Sequence, residues 1–456
     1  MLIKDLSKSI NEIVEVNGWV LTIRKQKDYS FIKLTDGSNS EGLQLVIDNT
    51  KLNSNNINTG TSLNVKGLLI ESPMKGQLYE LQVEEIKILG EVNSEEYPLA
   101  KGKLPLVYLR NYPHLRMRTN TFGAVFRIKS AISFATSLFF NENGYLHLDP
   151  NIITVNECEG GAGVFQITEK DISNLSSLKK VKDSDKYDWS EDHFEKPVYL
   201  TVSSQLQLEA LSCALGAVYT TNKSFRSEHS STNKHLSEFI HLEIENSFIE
   251  LKDLMDVGEK YIKYIGNYLL SNNEDDLKCL DNFVSKGIIE KINLLLSSTF
   301  IRLPYSDAIK IINNSGSIKI EYGEDLSSEC ENYLTEHYNN NPVFVTDWPI
   351  SIKSFYMKQN DDNVTCSNFD LLMPYKVGEL IGGSMREENL DKLLNMMKIK
   401  GVDEKGLEFY LDLRRFGTVP HGGFGLGLDR MCMLFTGMES IKDVVPFPVY
   451  YKNCSC

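Results

Sequence analysis

Five short runs in which apolar and polar residues alternate fill the first quarter of the chain, between positions 13 and 90. The runs are VEVNGWVLTIRKQ, YSFIKLTDGS, EGLQLVIDN, TSLNVKGLLIES and GQLYELQVEEIKIL. A period of two is typical of a strand with one buried face, and the Asn-Gly, Asp-Gly and Lys-Gly pairs are turn signals. Five strands in so short a stretch predict a small closed barrel. Such barrels often bind oligonucleotides, although the fold alone does not establish that function.

The remainder of the 456 residues predicts a second, larger unit of mixed helices and strands. A helix is expected from Phe122 to Asn143, because apolar residues recur there at helical spacing and Gly144 follows. Further helices are expected at 204–219, 246–272, 277–296 and 387–399, and extended runs include 352–358, 369–375 and 406–417. The predicted domains are a barrel over 1–103, a proline-marked hinge over 104–120, and an α+β domain over 121–456, whose helices pack on a mostly antiparallel sheet.

Composition and charge predict a protein without a membrane span or a targeting segment. The chain carries 48 basic and 62 acidic residues, and it has no apolar run of 18 residues, so we expect no membrane span. Its N-terminus lacks a basic segment followed by an apolar one, so we expect no targeting segment. The eight cysteines show no CxxC spacing, which indicates free thiols in the cytoplasm. The net charge of −14 disfavours a polyanion partner, but seven basic residues and no acid lie between 101 and 141.

A predicted hairpin carries one candidate site. It comprises FRSE at 225–228, KHLSEF at 234–239 and HLEIE at 241–245. Arg226 offers a planar cation suited to phosphate, Glu228 can accept from an exocyclic amine, and Phe239 can stack on a base. Taken alone, these three residues are more typical of ordinary surface or core positions than of a binding site.

Two glycine-rich stretches carry the other candidates. In HGGFGLGLDR (421–430), a strand runs into an apolar helix that begins near Arg430, and the glycine spacing matches neither a P-loop nor a dinucleotide fingerprint. In GELIGGSMR (378–386), Glu379 and Arg386 bracket a predicted Gly-Gly bend. Asp370 and Glu379 on adjacent strands would suit Mg²⁺ bound together with phosphates. The open alternatives are tight strand–helix packing for the first stretch and a salt bridge for the second.

Together these stretches resemble the class II aminoacyl-tRNA synthetases. The FRSE and KHLSEF pair resembles motif 2, HGGFGLGLDR resembles motif 3, and FATSLFFNENGYLHLDP (134–150) resembles motif 1, the dimer-forming helix and strand. The N-terminal barrel and this order are similar to the subgroup that charges aspartate, asparagine and lysine. The resemblance runs through nearly the whole chain and implies an OB-fold anticodon-binding barrel before a class II catalytic domain.

Within that subgroup the chain is similar to the asparagine-charging branch. This likeness lies in LTVSSQL (200–206), GGSMREE (382–388), LDLRRFG (411–417) and DVVPFP (443–448). The aspartate branch places a Lys where this chain has Leu208, so a cation that would favour a carboxylate is missing. Glu243 could accept from the amide NH₂ of asparagine, and Arg386 could donate to its carbonyl oxygen. Met385 departs from the Gln of many relatives.

The resemblance also implies roles for the site residues. Arg226 and Arg430 would be the catalytic cations, and ATP would be the substrate bound by Arg226, Glu228, Lys234, His235, Leu236, Phe239, Glu379, Gly427 and Arg430. L-Asparagine would be bound by Glu159, Gln205, Leu208, Glu243 and Arg386. Mg²⁺ would be held by Glu379 and Asp370. The anticodon of tRNA(Asn) would meet Arg24, Phe31 and Gln44 in the barrel, although Phe31 could instead lie in the barrel core. A cytoplasmic homodimer is implied.

Three rival interpretations stay open at this point. An aspartyl-tRNA synthetase is disfavoured by Leu208. An asparagine synthetase built on the same catalytic fold would not need the barrel. A tRNA- or single-strand-binding scaffold with a dead catalytic domain is disfavoured by the retention of Arg226, Glu228, Glu379 and Arg430.

Overall fold

The computed structural model describes residues 1–74, 77–99, 104–155, 163–174, 176, 178–230 and 232–454. Its first unit is a closed five-stranded barrel with strand order β1-β2-β3-β5-β4. The strands are β1 Ile13–Lys25, β2 Tyr29–Thr35, β3 Leu43–Asp48, β4 Ser62–Glu71 and β5 Tyr79–Gly90. The predicted barrel and its five strands are confirmed.

Alternation along each strand fills the barrel. In β4 every second residue is buried, so Leu63, Val65 and Leu69 point inward while their neighbours face outward. A 3-10 helix over Ile3–Ser9 contributes Ile3 and Leu6 to the same core. The barrel therefore has its own hydrophobic core.

Three helices follow the barrel. The short α1 Leu106–Leu109 and α2 Pro113–Arg116 lie within the stretch predicted as a hinge. They lead into α3 Asn120–Glu142, whose N-terminus is capped by Thr119 and whose end precedes Gly144 at φ +81°. The predicted helix at 122–143 is confirmed.

Helix α3 is the one described helix whose length and hydropathy would suit a membrane span, with a mean hydropathy of 1.2 over 18 residues. It instead packs against other helices of the second unit, and Val125, Ile128 and Ile132 are buried in that core. Its apolar character is explained by this packing.

The second unit is built on an eight-stranded sheet of order β12-β13-β14-β15-β16-β11-β10-β6. Its strands are β6 Leu146–His147, β10 Ala217–Phe225, β11 Glu238–Ser247, β12 Ile301–Pro304, β13 Val343–Thr346, β14 Asn368–Met373, β15 Gly378–Met385 and β16 His421–Gly427. The two outermost pairs, β12–β13 and β10–β6, are parallel and the others are antiparallel. The predicted α+β class with a mostly antiparallel sheet is confirmed.

Among the described residues, a small three-stranded sheet and nine further α-helices complete this unit. The small sheet has the order β7-β9-β8, with β7 Ile153–Thr154, β8 Gln166–Ile167 and β9 Val198–Leu200. The helices are α4 Gln205–Leu215, α5 Leu251–Asn272, α6 Glu274–Phe283, α7 Ile288–Ser297, α8 Tyr305–Asn314, α9 Ser328–His337, α10 Leu390–Lys400, α11 Glu408–Arg415 and α12 Leu428–Thr436. Helices α3, α5 and α12 contribute to the core on one face of the large sheet.

Several local predictions are wrong. The single helix expected at 277–296 is two helices, because α6 ends at Phe283 and α7 begins at Ile288. Residues 406–417 were expected to be extended, but α11 forms there because Tyr410 and Arg414, four apart, both face the interior. Residues 352–358 form turns and one isolated bridge instead of a strand. The helix expected at 204–219 ends at Leu215, where Gly216 adopts φ +85° and the chain enters β10.

The two units meet through a polar contact centred on Arg127 of α3. Its guanidinium donates to Asp276 of α6 at 2.8 and 2.9 Å, to the backbone oxygen of Gly37 at 2.7 Å and to the hydroxyl of Ser40 at 2.7 Å. Ser40 also donates to Asp276 at 2.6 Å. The barrel turn is thus tied to the second unit by two charged side chains, Arg127 and Asp276.

Candidate functional site

Alternate side chains of the central strand β11 point to opposite faces of the sheet, one towards the core and the other towards the candidate site. Leu242 and Ile244 are fully buried in the helix-covered core. His241, Glu243 and Glu245 occupy the alternate positions and line a cavity on the other face of the sheet. A strand that buries three polar side chains on one face needs partners for them there.

Glycines in the neighbouring strand β16 make room for these side chains. A Cβ at Gly423 would lie 2.5 Å from the Glu245 carboxyl carbon and 2.0 Å from the Ile244 backbone oxygen. A Cβ at Gly425 would lie 2.5 Å from Nε2 of His241. The glycine-rich run therefore forms a flat floor under the cavity.

Gly382 and Gly383 extend this floor in β15. They continue the strand, paired with Asp370 and Phe369 of β14, so the Gly-Gly bend predicted from the sequence is wrong. A Cβ at Gly382 would lie 3.3 Å from Glu379 Oε1 and 3.6 Å from Asp370 Oδ1.

One cavity of about 220 Å³, here called the Phe239 cavity, gathers the predicted nucleotide-binding residues. Its walls include all nine of them: Arg226, Glu228, Lys234, His235, Leu236, Phe239, Glu379, Gly427 and Arg430. The Arg226 guanidinium carbon lies 5.6 Å from the centre of the Phe239 ring. An aromatic face, a carboxylate and several cations in one cavity suit a purine nucleotide.

Two cations that line this cavity, Arg430 and Lys234, are held in different ways. Arg430 donates to the backbone oxygen of Glu379 and, at 3.4 Å, to that of Lys234, so it links β15 to the loop between β10 and β11. Lys234 lies 3.8 Å from Glu331 of α9. Burial lowers the pKa of Lys234 and of His235, and burial raises the pKa of Glu331 to about 7 despite the nearby lysine.

A second cavity of about 280 Å³, here called the Glu243 cavity, adjoins the first. Arg226, His241, Glu379 and Gly425 line both cavities. The predicted amino-acid residues Gln205, Glu243 and Arg386 line the Glu243 cavity, as do Lys353, Tyr356 and Asp370. Arg226 and Glu379 therefore stand at the junction of the two spaces.

Glu243 is held by the turn that precedes α4. It accepts hydrogen bonds from the Ser203 hydroxyl and from the Ser204 backbone N–H at 2.9 Å. The side chain is 5% exposed, so these donors replace water. Gln205, the first residue of α4, follows directly and its side-chain amide donates to Glu209 at 3.0 Å.

Arg386 shares the Glu243 cavity with Glu243, but its hydrogen-bonded carboxylate is Glu245. Its Nε donates to Glu245 at 3.1 Å, and its Nη2 donates to the same carboxylate. Its Nη1 donates to the Ser384 hydroxyl at 2.7 Å. Burial raises the pKa of Glu245 to about 7, although Arg386 opposes that shift.

Leu208 lies away from this group. Its side chain is fully buried, and it is not among the residues that line the Glu243 cavity. The next residue along α4, Glu209, does not line the cavity either but lies behind its wall, 3.8 Å from Nε of Arg386. The structure thus brings Glu243 and Arg386 to one cavity and leaves the predicted contact of Leu208 with asparagine without support.

Asp370 and Glu379 are the predicted metal ligands, and they lie on adjacent strands as expected. Lys353 donates to Asp370 Oδ2 at 2.6 Å and lies 3.9 Å from the centre of the Trp348 ring. Burial raises the pKa of Asp370 to about 6, against the effect of Lys353. Among the described residues no three carboxylates, imidazoles or thiols form a complete metal cage. Two convergent carboxylates fit Mg²⁺ that takes its other ligands from phosphates and water.

In the barrel, Arg24, Phe31 and Gln44 lie together on the outer surface. Arg24 is paired with Phe31 across β1 and β2, with its guanidinium carbon 5.1 Å from the ring centre. Phe31 is half-buried and lies outside the barrel core, which excludes the core alternative. Gln44 is on β3 opposite Lys33 and donates to the backbone oxygens of Ile32 and Leu45.

The predicted residue Glu159 lies outside the described residues. Three residues in or next to the site were not predicted from the sequence: Glu245, Glu209 and Lys353. Glu245 could have been found, because it stands two residues from Glu243 on a strand and shares its face. Glu209 could have been found by its spacing of four from Gln205 on a helix. Lys353 had no such signal, because it belongs to an irregular segment.

Comparisons with known proteins agree with this architecture. The profile of the class II tRNA synthetases for aspartate, lysine and asparagine matches residues 107–450, and that of OB-fold nucleic-acid-binding domains matches residues 14–89. The asparagine–tRNA ligase of Parabacteroides distasonis is 42% identical over 97% of this chain and 95% of its own length.

Solved structures show the same likeness. Asparaginyl-tRNA synthetase from Pyrococcus horikoshii, complexed with asparaginyl-adenylate, superposes with a TM-score of 0.86 and 28% identity, covering 100% of this chain and 99% of that one. The Entamoeba histolytica asparaginyl-tRNA synthetase, also with asparaginyl-adenylate, superposes with a TM-score of 0.83 and 28% identity, with the same coverage.

Proposed function

The chain belongs to the asparagine–tRNA ligases, a family of class II aminoacyl-tRNA synthetases, and from this premise we propose how its residues divide the reaction. The reaction joins L-asparagine to tRNA(Asn) at the expense of ATP, through an asparaginyl-adenylate. The observation that carries the assignment of residues is the pair of adjoining cavities, which share Arg226 and Glu379.

The Phe239 cavity takes ATP. The ring of Phe239 stacks on adenine, and Glu228 accepts from the exocyclic amine. Lys234, His235 and Arg430 bind the β- and γ-phosphates. Leu236 and Gly427 shape the wall.

The Glu243 cavity takes asparagine. Arg386 keeps one N–H on each terminal nitrogen beyond those that bind Glu245 and Ser384, and these donate to the carbonyl oxygen of the side-chain amide. Glu243 accepts from the amide NH₂, and Gln205 orients the α-ammonium. We keep Glu159 as a second contact to the α-ammonium, on the sequence resemblance alone.

Chemistry takes place where the two cavities meet. A carboxylate oxygen of asparagine attacks the α-phosphorus of ATP, the bond to the bridging oxygen breaks, and pyrophosphate leaves. Arg226 lines both cavities, so it holds the α-phosphate and offsets the charge that builds up in the transition state. A terminal ribose hydroxyl of the tRNA then takes the acyl group and AMP leaves.

We propose that Asp370 and Glu379 hold Mg²⁺ together with the phosphates of ATP. When bound, the ion offsets the charge of those phosphates. The convergence of the two carboxylates above Gly382 supports this assignment. Lys353, ion-paired with Asp370, keeps that carboxylate in place.

The barrel is proposed to bind the anticodon. Phe31 offers an aromatic surface on its outer face, and Arg24 lies over that ring. Such a pair suits a splayed base next to a phosphate. Gln44 would hydrogen-bond to the edge of a base after its side-chain amide gives up a hydrogen bond to a backbone oxygen.

A cytoplasmic homodimer is also proposed. The edge strand β6 carries Leu146, which is 49% exposed, and α3 carries Phe134, which is 61% exposed. Exposed apolar groups on the segment that resembles motif 1 would be covered by a second copy. The six described cysteines are all free thiols, which suits a reducing compartment.

ATP–pyrophosphate exchange tests the proposal. We expect exchange with asparagine, and at least ~10²-fold less with aspartate. Arg226→Ala should reduce asparagine-dependent exchange by ~10²-fold or more without changing the melting temperature, whereas the exposed Arg415→Ala on α11 should leave it unchanged. Exchange with aspartate as the better substrate would support the aspartyl interpretation, and exchange with neither would support the binding scaffold.

A further inference from the structure

Glu209 is a wholly buried carboxylate behind the wall of the Glu243 cavity. It lies on α4 with no exposed surface. Its Oε2 accepts from Nη2 of Arg414 at 2.9 Å and lies 3.1 Å from Nε2 of His421. Its Oε1 accepts from Gln205 at 3.0 Å and lies 3.8 Å from Nε of Arg386. These contacts hold the pKa of Glu209 well below its usual range, although burial alone would raise it.

The positive charge of Arg386 is therefore offset by two carboxylates. Glu245 binds the Arg386 guanidinium through two nitrogens, and Glu209 lies 3.8 Å from its Nε. The second guanidinium of the group, Arg414, is turned towards Glu209 and away from the cavity, and it does not line the cavity. Glu209 and Glu245 thus flank the guanidiniums of Arg386 and Arg414, so Arg386 presents hydrogen-bond donors to the cavity while its positive charge is offset from behind.

This arrangement of charges around Arg386 decides which substrate side chain the cavity can accept. A neutral carboxamide takes the two remaining N–H groups of Arg386 and adds no charge next to it. A carboxylate of the same shape would add a negative charge beside a guanidinium that is already paired with carboxylates, and it would also lie close to Glu243. Uncompensated charge in a buried site is costly, so the second substrate is rejected.

We propose that Glu209 is a positioning residue for specificity: by fixing and neutralising Arg386, it makes the cavity select asparagine over aspartate. This inference rests on the proposed asparagine cavity. It places selectivity in a carboxylate that contacts no substrate. The absence of a lysine at Leu208 then matters less than the presence of the carboxylate next to it.

Glu209→Gln tests the charge while keeping the shape. In ATP–pyrophosphate exchange we expect the aspartate-to-asparagine ratio of kcat/KM to rise at least ~10-fold, chiefly through a lower KM for aspartate. The matched control is Glu408→Gln, the same change at an exposed carboxylate on α11, which should leave the ratio unchanged. An unchanged ratio in a folded Glu209→Gln protein overturns the proposal.

The opposite charge change gives an independent measurement. Arg414→Gln leaves Glu209 more able to neutralise Arg386, so the inhibition constant of aspartate against asparagine should rise at least ~3-fold. The double variant Glu209→Gln/Arg414→Gln restores the balance and should return the constant to within ~3-fold of the unsubstituted protein.

These two variants decide the question even where Glu209→Gln does not fold. A purely structural role for the network would make the double variant at least as defective as either single one, and that result overturns the proposal. Failure of the proposed function looks different. If the unsubstituted protein shows no exchange with asparagine, the cavity assignment is wrong. If it shows exchange but Glu209→Gln leaves the aspartate-to-asparagine ratio of kcat/KM unchanged, only the present inference is wrong.

Discussion

Phe239 is the residue whose role is tested most directly, because its ring forms a wall of the Phe239 cavity next to Arg226. Stacking of a base on an aromatic ring contributes about 1–3 kcal/mol. Phe239→Leu should therefore raise the KM for ATP by ~10-fold or more and change the KM for asparagine by less than ~2-fold. Steady-state exchange at varied ATP measures both values.

A matched control is Phe416→Leu, the same change at a ring that is 77% exposed beyond α11. It should alter neither KM. Equal effects on the KM for ATP and for asparagine in Phe239→Leu would contradict the assignment of this cavity to ATP.

Asp370 predicts a pH dependence. Burial raises the pKa of its carboxyl to about 6, and Lys353 only partly opposes this. In the proposed function the ionised carboxyl binds Mg²⁺, and it is present above that pH, so exchange should fall as the pH decreases through about 6. Because metal and proton compete for the same oxygens, tenfold more Mg²⁺ should move the midpoint to lower pH.

Exchange measured from pH 5 to 8 at two Mg²⁺ concentrations tests this. Asp370→Asn should abolish the Mg²⁺-dependent displacement of the midpoint. A midpoint that stays in place at both concentrations would argue against a metal on Asp370.

At the scale of the element, the glycines of β16 differ in how much space they leave for a Cβ atom. A Cβ at Gly423 would meet the Ile244 backbone oxygen at 2.0 Å, whereas a Cβ at Gly427 would lie no closer than 3.9 Å to any described atom. Gly423→Ala should lower the free energy of unfolding by about 1–3 kcal/mol, because the strands must separate. It should also lower kcat/KM for asparagine, because Glu245 moves with its strand.

Denaturant unfolding of both variants provides the check. Gly427→Ala should unfold at the same denaturant concentration as the unsubstituted protein. A stable Gly423→Ala protein would show that β11 and β16 can separate at little cost.

Elements also show where reasoning from pattern succeeded. The strands of the barrel and α3 follow from apolar periodicity, which depends only on neighbours along the chain. Residues 406–417 were mistaken for a strand, because short apolar runs occur in both structures. Burial of Arg414 against Glu209, 205 positions earlier, is the kind of contact that such patterns do not contain.

At the scale of the whole molecule, the contact of Arg127 joins barrel and catalytic unit. Arg127→Ala should leave exchange within about 2-fold, because both cavities lie elsewhere. Charging of tRNA needs the barrel and the active site at a defined separation, so it should fall by ~10-fold or more.

Exchange and tRNA charging measured side by side would test this division. Arg302→Ala removes an ion pair within the catalytic unit, to Asp256 of α5, and should affect neither assay. Equal losses of exchange and charging in Arg127→Ala would show that the contact stabilises the catalytic unit itself.

The amino-acid sequence by itself determined the barrel, the α+β class, the hairpin and the family, because periodicity, turn residues and motifs are local properties. It also singled out nine residues that line one cavity, eight of them in the stretches that resemble motifs 2 and 3. Only the tertiary structure decided that Glu245 pairs with Arg386, and that Glu209 of α4 lies next to Arg386 behind the cavity wall while Leu208 is buried elsewhere. The physical reason is that buried charges choose partners by distance in space, and Arg386 with Glu245, 141 positions apart, or His421 with Glu209, 212 apart, meet only after the sheet has formed.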